Sequence, residues 1–241
     1  MAVTAIQDLN IKIFADGADL DGIARLAQDP LIKGFTTNPT LMAKANGAVD
    51  YREFAEQVLE AVDGKPVSFE VFSDNFDEME RQARLISSWA ENIYTKVPVT
   101  NTRGESSGDL IHRLASDGLK LNVTALMTPA QARDVAARLE GGPPSIISIF
   151  AGRIADTGRN PVPLMNEAVD ALAAYPNVDL LWASPREILN IVQADAVGCD
   201  IVTVTHDLLA KLPTLGKDLD EFSLDTVKMF HDSARSAAFA L

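Results

Sequence analysis

The chain alternates short apolar or β-branched runs with longer amphipathic stretches from one end to the other. The amphipathic stretches carry apolar residues at helical spacing, as Phe54, Val58 and Leu59 do. Alternation of this kind is typical of βαβ units around a parallel sheet. Eight apolar runs predict the α/β class and a (β/α)8 TIM barrel. The predicted strands lie at 11–15, 33–36, 67–72, 93–98, 120–124, 145–149, 178–183 and 200–204.

Helix start signals agree with this reading. Two clear helices are predicted at 50–62 and 77–90, and an additional C-terminal helix at 224–240 would cover the barrel or pack on another subunit. The alternative fold is a doubly wound open sheet, but the G-x-G-x-x-G turn expected after its first strand is missing. The residues placed where N-caps or first-turn residues belong are Asp50, Ser73 and Thr128-Pro129.

Composition narrows the partners and the compartment. The 241 residues are 47% hydrophobic, enough for one large core, and no linker divides them, so we predict one domain over 1–241. A net charge of −13 argues against nucleic acid. The N-terminus lacks a signal-peptide pattern and no apolar run reaches about 18 residues, so we expect a soluble, cytoplasmic protein without a membrane partner.

Cysteine and histidine are scarce. The lone Cys199 excludes an internal disulfide, and His112, His206 and His231 are widely scattered. We therefore expect no Cys/His metal site, while a carboxylate-only site is harder to exclude. His206 is interpreted as a polar loop or cap residue without a chemical role.

Polar residues at the ends of predicted barrel strands are the candidates for chemistry, because catalytic groups project there. Lys96 interrupts a β-favouring run, and burial would favour its neutral, nucleophilic amine; the alternative is an edge lysine that reaches solvent. Asp16 and Glu70 suit general acid–base work, although Asp16 could simply cap the next helix. Asn38 could merely form an Asn-Pro turn. Asn122 and Thr124 alternate with apolar residues, so both point to one side of their strand.

A second group of residues has the composition of an anion site. Arginine and serine occur together after two adjacent late strands, where barrels often bind phosphate. Each arginine alone would more often be a solvated surface residue. The four candidates are Ser148, Arg153, Ser184 and Arg186.

Six segments, in order, resemble motifs of the transaldolase family over nearly the whole chain. Residues 34–40 (GFTTNPT) closely resemble its T-T-N-P-[ST] signature, and residues 94–100 (YTKVPVT) are similar to the segment with its Schiff-base lysine. The other four are Phe14-Ala15-Asp16, Leu121-Asn122-Val123-Thr124, Ser148-Ile149-Phe150-Ala151-Gly152-Arg153 and Ala183-Ser184-Pro185-Arg186.

The resemblance implies a cofactor-free transfer of a dihydroxyacetone unit between sugar phosphates. Lys96 would form an imine with C2 of fructose 6-phosphate, and Asp16 would take the C4 hydroxyl proton as the C3–C4 bond breaks. Glu70 and Thr124 would position and activate the water. The acceptor would commonly be erythrose 4-phosphate, and the protein a homo-oligomer.

The resemblance also implies a set of substrate-binding residues. The asparagines would hold hydroxyl groups of the three-carbon unit, and the serines and arginines would hold the phosphate. The set comprises Thr36, Asn38, Asn122, Ser148, Phe150, Arg153, Ser184 and Arg186.

Three positions bear on the type of reaction. In the related fructose-6-phosphate aldolases a glutamine resembles the position of Glu70 and a tyrosine that of Phe150, so both positions favour transfer over cleavage here. Pro185 departs from the family pattern and could modify donor choice, with a sulfonated sugar as another anionic donor. Two other classes stay open. One is a non-catalytic sugar-phosphate-binding barrel, which would not need Lys96, and the other is a metal-dependent aldolase or isomerase, which usually has histidine ligands.

Overall fold

A computed structural model of the chain describes residues 5–38, 40, 42 and 50–237. Eight parallel strands close into a barrel in sequence order, with β1 paired to both β2 and β8. The predicted (β/α)8 barrel is therefore confirmed, and the open-sheet alternative is wrong. The strands are β1 Lys12–Asp16, β2 Ile32–Thr36, β3 Val67–Glu70, β4 Ile93–Pro98, β5 Leu121–Leu126, β6 Ser145–Ile149, β7 Val178–Trp182 and β8 Ile201–Thr205.

Helices surround the barrel on the outside. Within the described residues there are ten α-helices, and a short 3-10 helix, Ile6–Asp8, precedes β1. The α-helices are α1 Leu20–Ala27, α2 Tyr51–Ala61, α3 Phe76–Ser87, α4 Gly108–Ser116, α5 Pro129–Leu139, α6 Ala151–Asp156, α7 Val162–Leu172, α8 Ile188–Ala196, α9 His206–Leu209 and α10 Leu219–Ser236.

Two of the three predicted helix starts are confirmed. Asp50 caps α2 by accepting from the backbone of the next turn, and Thr128 forms a capping box ahead of Pro129 in α5. The cap predicted at Ser73 is wrong. Asn75 caps α3 instead, because its side chain accepts from Glu78 N, while Ser73 Oγ accepts from Asn75 N.

Two strand ends lie two residues from their predicted positions for local reasons, while the other strand bounds agree with the prediction within one residue. The strand predicted to reach residue 72 ends at Glu70, because the Phe72 and Ser73 amides turn away to donate to Gln82 Oε1. The fifth strand extends beyond residue 124, with its register to β6 shifting where Ala125 adopts φ 67°.

Two apolar layers hold the barrel. The larger one lies between strands and helices, where the outward residues of the strands meet buried helix residues such as Phe54, Met79 and Ile86. The smaller one fills the barrel interior, with Phe14 and Ile146 among its members. Gly34 on β2 faces the Phe14 ring so closely that a Cβ there would lie 2.5 Å from it. A side chain at position 34 would therefore displace Phe14 and the apolar residues that pack with it inside the barrel.

The C-terminal helix is confirmed, but it starts earlier than predicted. It begins at Leu219 after the N-cap Asp218, and none of its residues is buried. The predicted residues 238–240 lie outside the described part of the chain. Its exposed apolar residues include Phe222, Val227 and Phe230. In the described ranges, no helix is both long and apolar enough to cross a membrane.

Candidate active site

A cavity of about 510 Å³ opens at the carboxyl ends of the barrel strands. The sequence-predicted site residues, which come from seven separate segments of the chain, all line it. This is the placement that a TIM barrel gives to groups at its strand ends. These residues are Asp16, Thr36, Asn38, Glu70, Lys96, Asn122, Thr124, Ser148, Phe150, Arg153, Ser184 and Arg186.

Lys96 lines this cavity and is only 6% exposed. The pairing of β3 with β4 places Glu70 beside it, with 3.3 Å between Lys96 Nζ and Glu70 Oε2. Lys96 Nζ also donates to the Thr37 carbonyl oxygen at 3.0 Å. The alternative of an edge lysine that reaches solvent is therefore wrong. A buried amine beside one carboxylate can be a nucleophile when it loses its proton.

The backbone of Glu70 is hydrogen-bonded to the side chain of Tyr51. The Tyr51 hydroxyl, at the start of α2, accepts from Glu70 N and donates to Glu70 O, each at 2.9 Å. The Tyr51 ring packs edge-on against Phe69 and Phe72. The end of β3 is thereby fixed although it carries a charged side chain into the cavity.

Asp16 is the last residue of β1 and lines the same cavity. Its carboxylate accepts from Thr36 Oγ1 at 2.7 Å. Burial raises the pKa of the Asp16 carboxyl above its ordinary value, against the opposing effects of the Lys96 charge, the Thr36 hydrogen bond and His206. A capping role for Asp16 is excluded, because Asp19 caps α1 by accepting from Gly22 N. Asp16 is thus suited to take up a proton inside the cavity.

The inner faces of β5 and β6 carry a line of hydrogen-bonding groups. Asn122 Nδ2 donates to Ser68 Oγ at 3.0 Å, and Ser148 Oγ donates to Asn122 Oδ1 at 2.7 Å. Ser148 was expected after the sixth strand but lies within it, so its side chain projects into the barrel. Thr124 Oγ1 is buried and has no hydrogen-bond partner among the described residues. It is a free polar group in the wall of the cavity.

The two predicted anion-binding arginines differ in their surroundings. Arg153 on α6 lies with its guanidinium carbon 5.5 Å from the centre of the Phe150 ring. No carboxylate in the described part of the chain lies within ion-pair distance of it. Arg186 instead pairs with Asp156 through both Nε and Nη2, the Nε–Oδ1 distance being 3.2 Å.

Gly152 allows the loops that carry these arginines to meet. A Cβ at Gly152 would lie 1.5 Å from the Ser184 carbonyl oxygen, so only glycine fits. Ser184 itself adopts φ 62°, which is uncommon for a residue with a side chain. The backbone after β7 therefore lies directly on the N-terminal turn of α6, with both serines and both arginines on one side of the cavity.

The prediction for His206 needs correction. It begins α9 directly after β8, with Thr205 as the N-cap residue, so it is neither a loop nor a cap residue. Burial lowers the pKa of its imidazole, and the nearby Asp19 carboxylate acts in the opposite direction. Its charge also acts on Asp16. In the described ranges, no group of three or more His, Cys, Asp or Glu side chains could hold a metal ion.

Sequence reasoning missed several residues of the cavity wall. Thr203 and Thr205 alternate with Val204 along β8, which is the same two-residue period that marked Asn122 and Thr124. That signal could have found them. Asp156, which pairs with Arg186 but is not part of the cavity lining, carried no comparable signal, because a carboxylate on a short helix is usually a solvated residue.

The chain is similar to known proteins over most of its length. The model of the transaldolase/fructose-6-phosphate aldolase family matches residues 13–241. A Roseiflexus castenholzii protein named "Probable transaldolase" is 38% identical over 201 residues, covering 83% of this chain and 88% of that protein. One of the same name from Thermoplasma volcanium is 32% identical over 227 residues, covering 92% and 98%.

The chain therefore belongs to the transaldolase/fructose-6-phosphate aldolase family, and the names of its relatives indicate a transaldolase-type enzyme. Among solved structures, the dihydrodipicolinate synthase of Rhodopseudomonas palustris superposes with a TM-score of 0.57 at 13% identity, over 97% of this chain and 82% of that one. At that identity the likeness shows the fold alone.

Proposed function

We propose that this protein is a transaldolase that transfers a dihydroxyacetone unit between sugar phosphates through a Schiff base on Lys96. The donor is fructose 6-phosphate or sedoheptulose 7-phosphate, and the acceptor is erythrose 4-phosphate or glyceraldehyde 3-phosphate. The observation that carries the proposal is a lysine that lines the cavity, is only 6% exposed and lies 3.3 Å from a carboxylate, in a chain of this family.

The first half of the reaction forms the imine. The Lys96 amine adds to the C2 carbonyl of the donor, and the carbinolamine loses water to give the iminium ion. Glu70, beside Lys96 Nζ, accepts and returns the protons of these steps. The unpartnered Thr124 hydroxyl holds the water that leaves and later returns to hydrolyse the imine.

The second half breaks and remakes a carbon–carbon bond. Asp16 takes the C4 hydroxyl proton while the electron pair of the C3–C4 bond moves to the iminium, which becomes an enamine. Glyceraldehyde 3-phosphate leaves, and the enamine attacks the acceptor aldehyde while Asp16 returns its proton. The iminium acts as the electron sink, so this mechanism needs no metal or cofactor.

The remaining residues bind the substrate. Asn122 and Ser148, joined by their hydrogen bond, hold hydroxyl groups of the three-carbon unit together with Thr36 and Asn38. The Phe150 ring supports Arg153, whose guanidinium donates two parallel N–H hydrogen bonds to two oxygens of the phosphate. Ser184 and Arg186 complete the anion site from the loop after β7. We also propose that the chain folds as one domain and that the protein is a cytoplasmic homo-oligomer.

Fructose-6-phosphate aldolase activity is the second candidate, because the matching family includes it. The carboxylate of Glu70 and the absence of a phenol at Phe150 favour transfer. In the aldolase, the enamine is protonated to the iminium ion, and water then hydrolyses the bond to Lys96 and releases dihydroxyacetone without an acceptor. A different anionic sugar, such as a sulfosugar, would use the same arginines. A non-catalytic barrel and a metal-dependent aldolase are the candidates from other classes.

Reductive trapping tests these candidates directly. The protein is incubated with fructose 6-phosphate and borohydride, the modified peptide is found by mass spectrometry, and products are assayed with and without erythrose 4-phosphate. The matched variant is Lys96→Met, and Lys211→Met on the exposed surface is the control. We expect an adduct on Lys96 and turnover that depends on the acceptor.

Each other result identifies another candidate. An adduct on Lys96 with dihydroxyacetone released at the same rate without acceptor indicates the aldolase. A missing adduct with fructose 6-phosphate but an adduct with another keto sugar indicates a different donor. Loss of turnover on adding a chelator indicates the metal-dependent class, and binding without any turnover indicates the non-catalytic barrel.

A further inference from the structure

Two buried threonine hydroxyls connect β8 to the Asp16 carboxylate through β2. Thr203 Oγ1 lies 2.5 Å from Thr36 Oγ1, and Thr36 Oγ1 lies 2.7 Å from Asp16 Oδ1. Both threonines are buried, with 7% and 2% exposure. The strands explain the meeting, since β1 is paired with β2 on one side and with β8 on the other.

The direction of this hydroxyl chain follows from counting protons. An ionised carboxylate only accepts, and a threonine hydroxyl has a single proton to donate. Because Thr36 donates its proton to Asp16, the proton in the contact between the two threonines comes from Thr203. The chain therefore runs from Thr203 through Thr36 to Asp16, and each hydrogen bond strengthens the next.

We propose that Thr203 is a positioning residue for Asp16. Through Thr36, Thr203 holds Oδ1 of Asp16 in place, so that Oδ2 of Asp16 exchanges the proton with the substrate. This inference rests on the proposed function in taking Asp16 as the group that accepts the C4 hydroxyl proton. In that step the proton passes to Oδ2 as the C3–C4 electron pair moves to the iminium. Thr36 and Thr203 keep their own protons throughout.

The ionisation of Asp16 depends on the groups that surround it, including this hydroxyl chain. The charged or titratable groups that act on Asp16 are Lys96 from β4 and His206 from α9, and both favour its ionised form. Burial has the opposite and larger effect and raises the pKa of Asp16. A hydrogen bond to the carboxylate stabilises its ionised form, so it lowers the pKa of Asp16 and extends the pH range over which Asp16 is ionised. Weakening it at Thr203 leaves Lys96 and His206 in place.

The test compares Thr203→Val, which removes the donor at nearly constant volume, with Thr203→Ser, which keeps it. The pH profile of kcat/KM is measured for transfer from fructose 6-phosphate to erythrose 4-phosphate. We expect the acid limb of Thr203→Val to move to higher pH, with a loss of about tenfold or less below that limb. Thr203→Ser should retain the wild-type limb. Thr226→Val, on the exposed helix α10, is the control.

A titration that needs no substrate separates this inference from the proposed function. Carbon-13 NMR of labelled aspartate, with Asp16→Asn to assign the signal, measures the pKa of Asp16 directly. It should rise in Thr203→Val and stay at the wild-type value in Thr203→Ser. An unmoved Asp16 titration in folded Thr203→Val, or an equal shift in both variants, overturns the inference. A wild-type chain that forms no adduct on Lys96 overturns the proposed function instead.

Discussion

The charged side chains on the two sides of the cavity differ in their exposure to solvent. On the side formed by β1, β3 and β4, Asp16, Glu70 and Lys96 are largely shielded from solvent, and Lys96 faces its partner over 3.3 Å. On the side that follows β6 and β7, Arg153 and Arg186 are exposed, and Arg186 shares its charge with Asp156. We call these the proton side and the anion side.

The difference predicts where each side acts. In the shielded proton side the effective dielectric is low, so a small change of position or charge has a large electrostatic effect. On the anion side, solvent and salt screen the arginines. Changes on the proton side should therefore lower kcat, while changes on the anion side should raise KM for charged substrates.

Replacing Lys96 is the strongest test of the proton side. Lys96→Arg keeps a positive charge next to Glu70 but offers a guanidinium, which is always protonated and forms no imine. We expect kcat/KM for transfer to fall by about 10⁴-fold or more, with no borohydride adduct. Lys96→Met, which removes the charge as well, should be equally inactive.

Binding of the sugar phosphate controls for misfolding in these variants. Both should retain affinity for the donor within a few-fold, as measured by calorimetry, because the arginines are unchanged. Substantial transfer by Lys96→Arg would contradict the Schiff-base mechanism. Such a result would also contradict the expectation that changes on the proton side lower kcat.

The residues of the proton side stand out in the sequence for a physical reason. A charged residue within a β-favouring run is costly to bury, so Lys96 in 93–98 and Glu70 in 67–72 stand out against their neighbours. The barrel then requires strand ends to meet at one mouth. That argument fixes which residues share the cavity, although their roles stay predictions.

What the sequence could not predict depends on pairs that are distant in the chain. Thr203 meets Thr36 across 167 positions, and Arg186 meets Asp156 across 30. Such contacts follow from strand register and loop conformation, including the φ of 62° at Ser184. Local propensity does not encode them. The early start of α10 is a different case, because Asp218 is a good N-cap that pattern reasoning overlooked.

Asp16→Asn should have the next largest effect and separate imine formation from bond cleavage. An amide cannot accept the C4 proton, so kcat should fall by about 10²- to 10⁴-fold. Because Lys96 is intact, borohydride should trap the whole six-carbon donor on Lys96. The wild-type protein, which cleaves the bond, should be trapped mainly with the three-carbon unit. Mass spectrometry distinguishes the two adducts.

The pH dependence of the wild type gives a second check on Asp16. As a base it must be ionised, and burial raises its pKa, so activity should fall as the pH drops through a value above the ordinary one near 4. Activity that holds down to about pH 4 would contradict the role given to Asp16. A three-carbon adduct on the Asp16→Asn variant would do so as well.

The smallest effects should come from the anion side, and they should be unequal. Arg153→Gln removes a guanidinium that no described carboxylate offsets, so KM for fructose 6-phosphate should rise by about 10- to 100-fold with little change in kcat. Arg186→Gln removes a charge already shared with Asp156, so KM should rise less, by roughly 3- to 10-fold. Steady-state kinetics at two ionic strengths measures both.

A neutral donor supplies the matched control for this last comparison. With dihydroxyacetone as the donor and glyceraldehyde as the acceptor, neither variant should differ from wild type, because neither substrate carries an anion. Asp156→Asn sharpens the point further: freed from its carboxylate, Arg186 should bind the phosphate better, and the KM of the Arg153→Gln variant should partly recover. Equal KM increases for the two arginine variants would show that Asp156 does not offset the charge of Arg186. A loss of kcat in either variant would show that the anion side takes part in the chemistry rather than in binding alone.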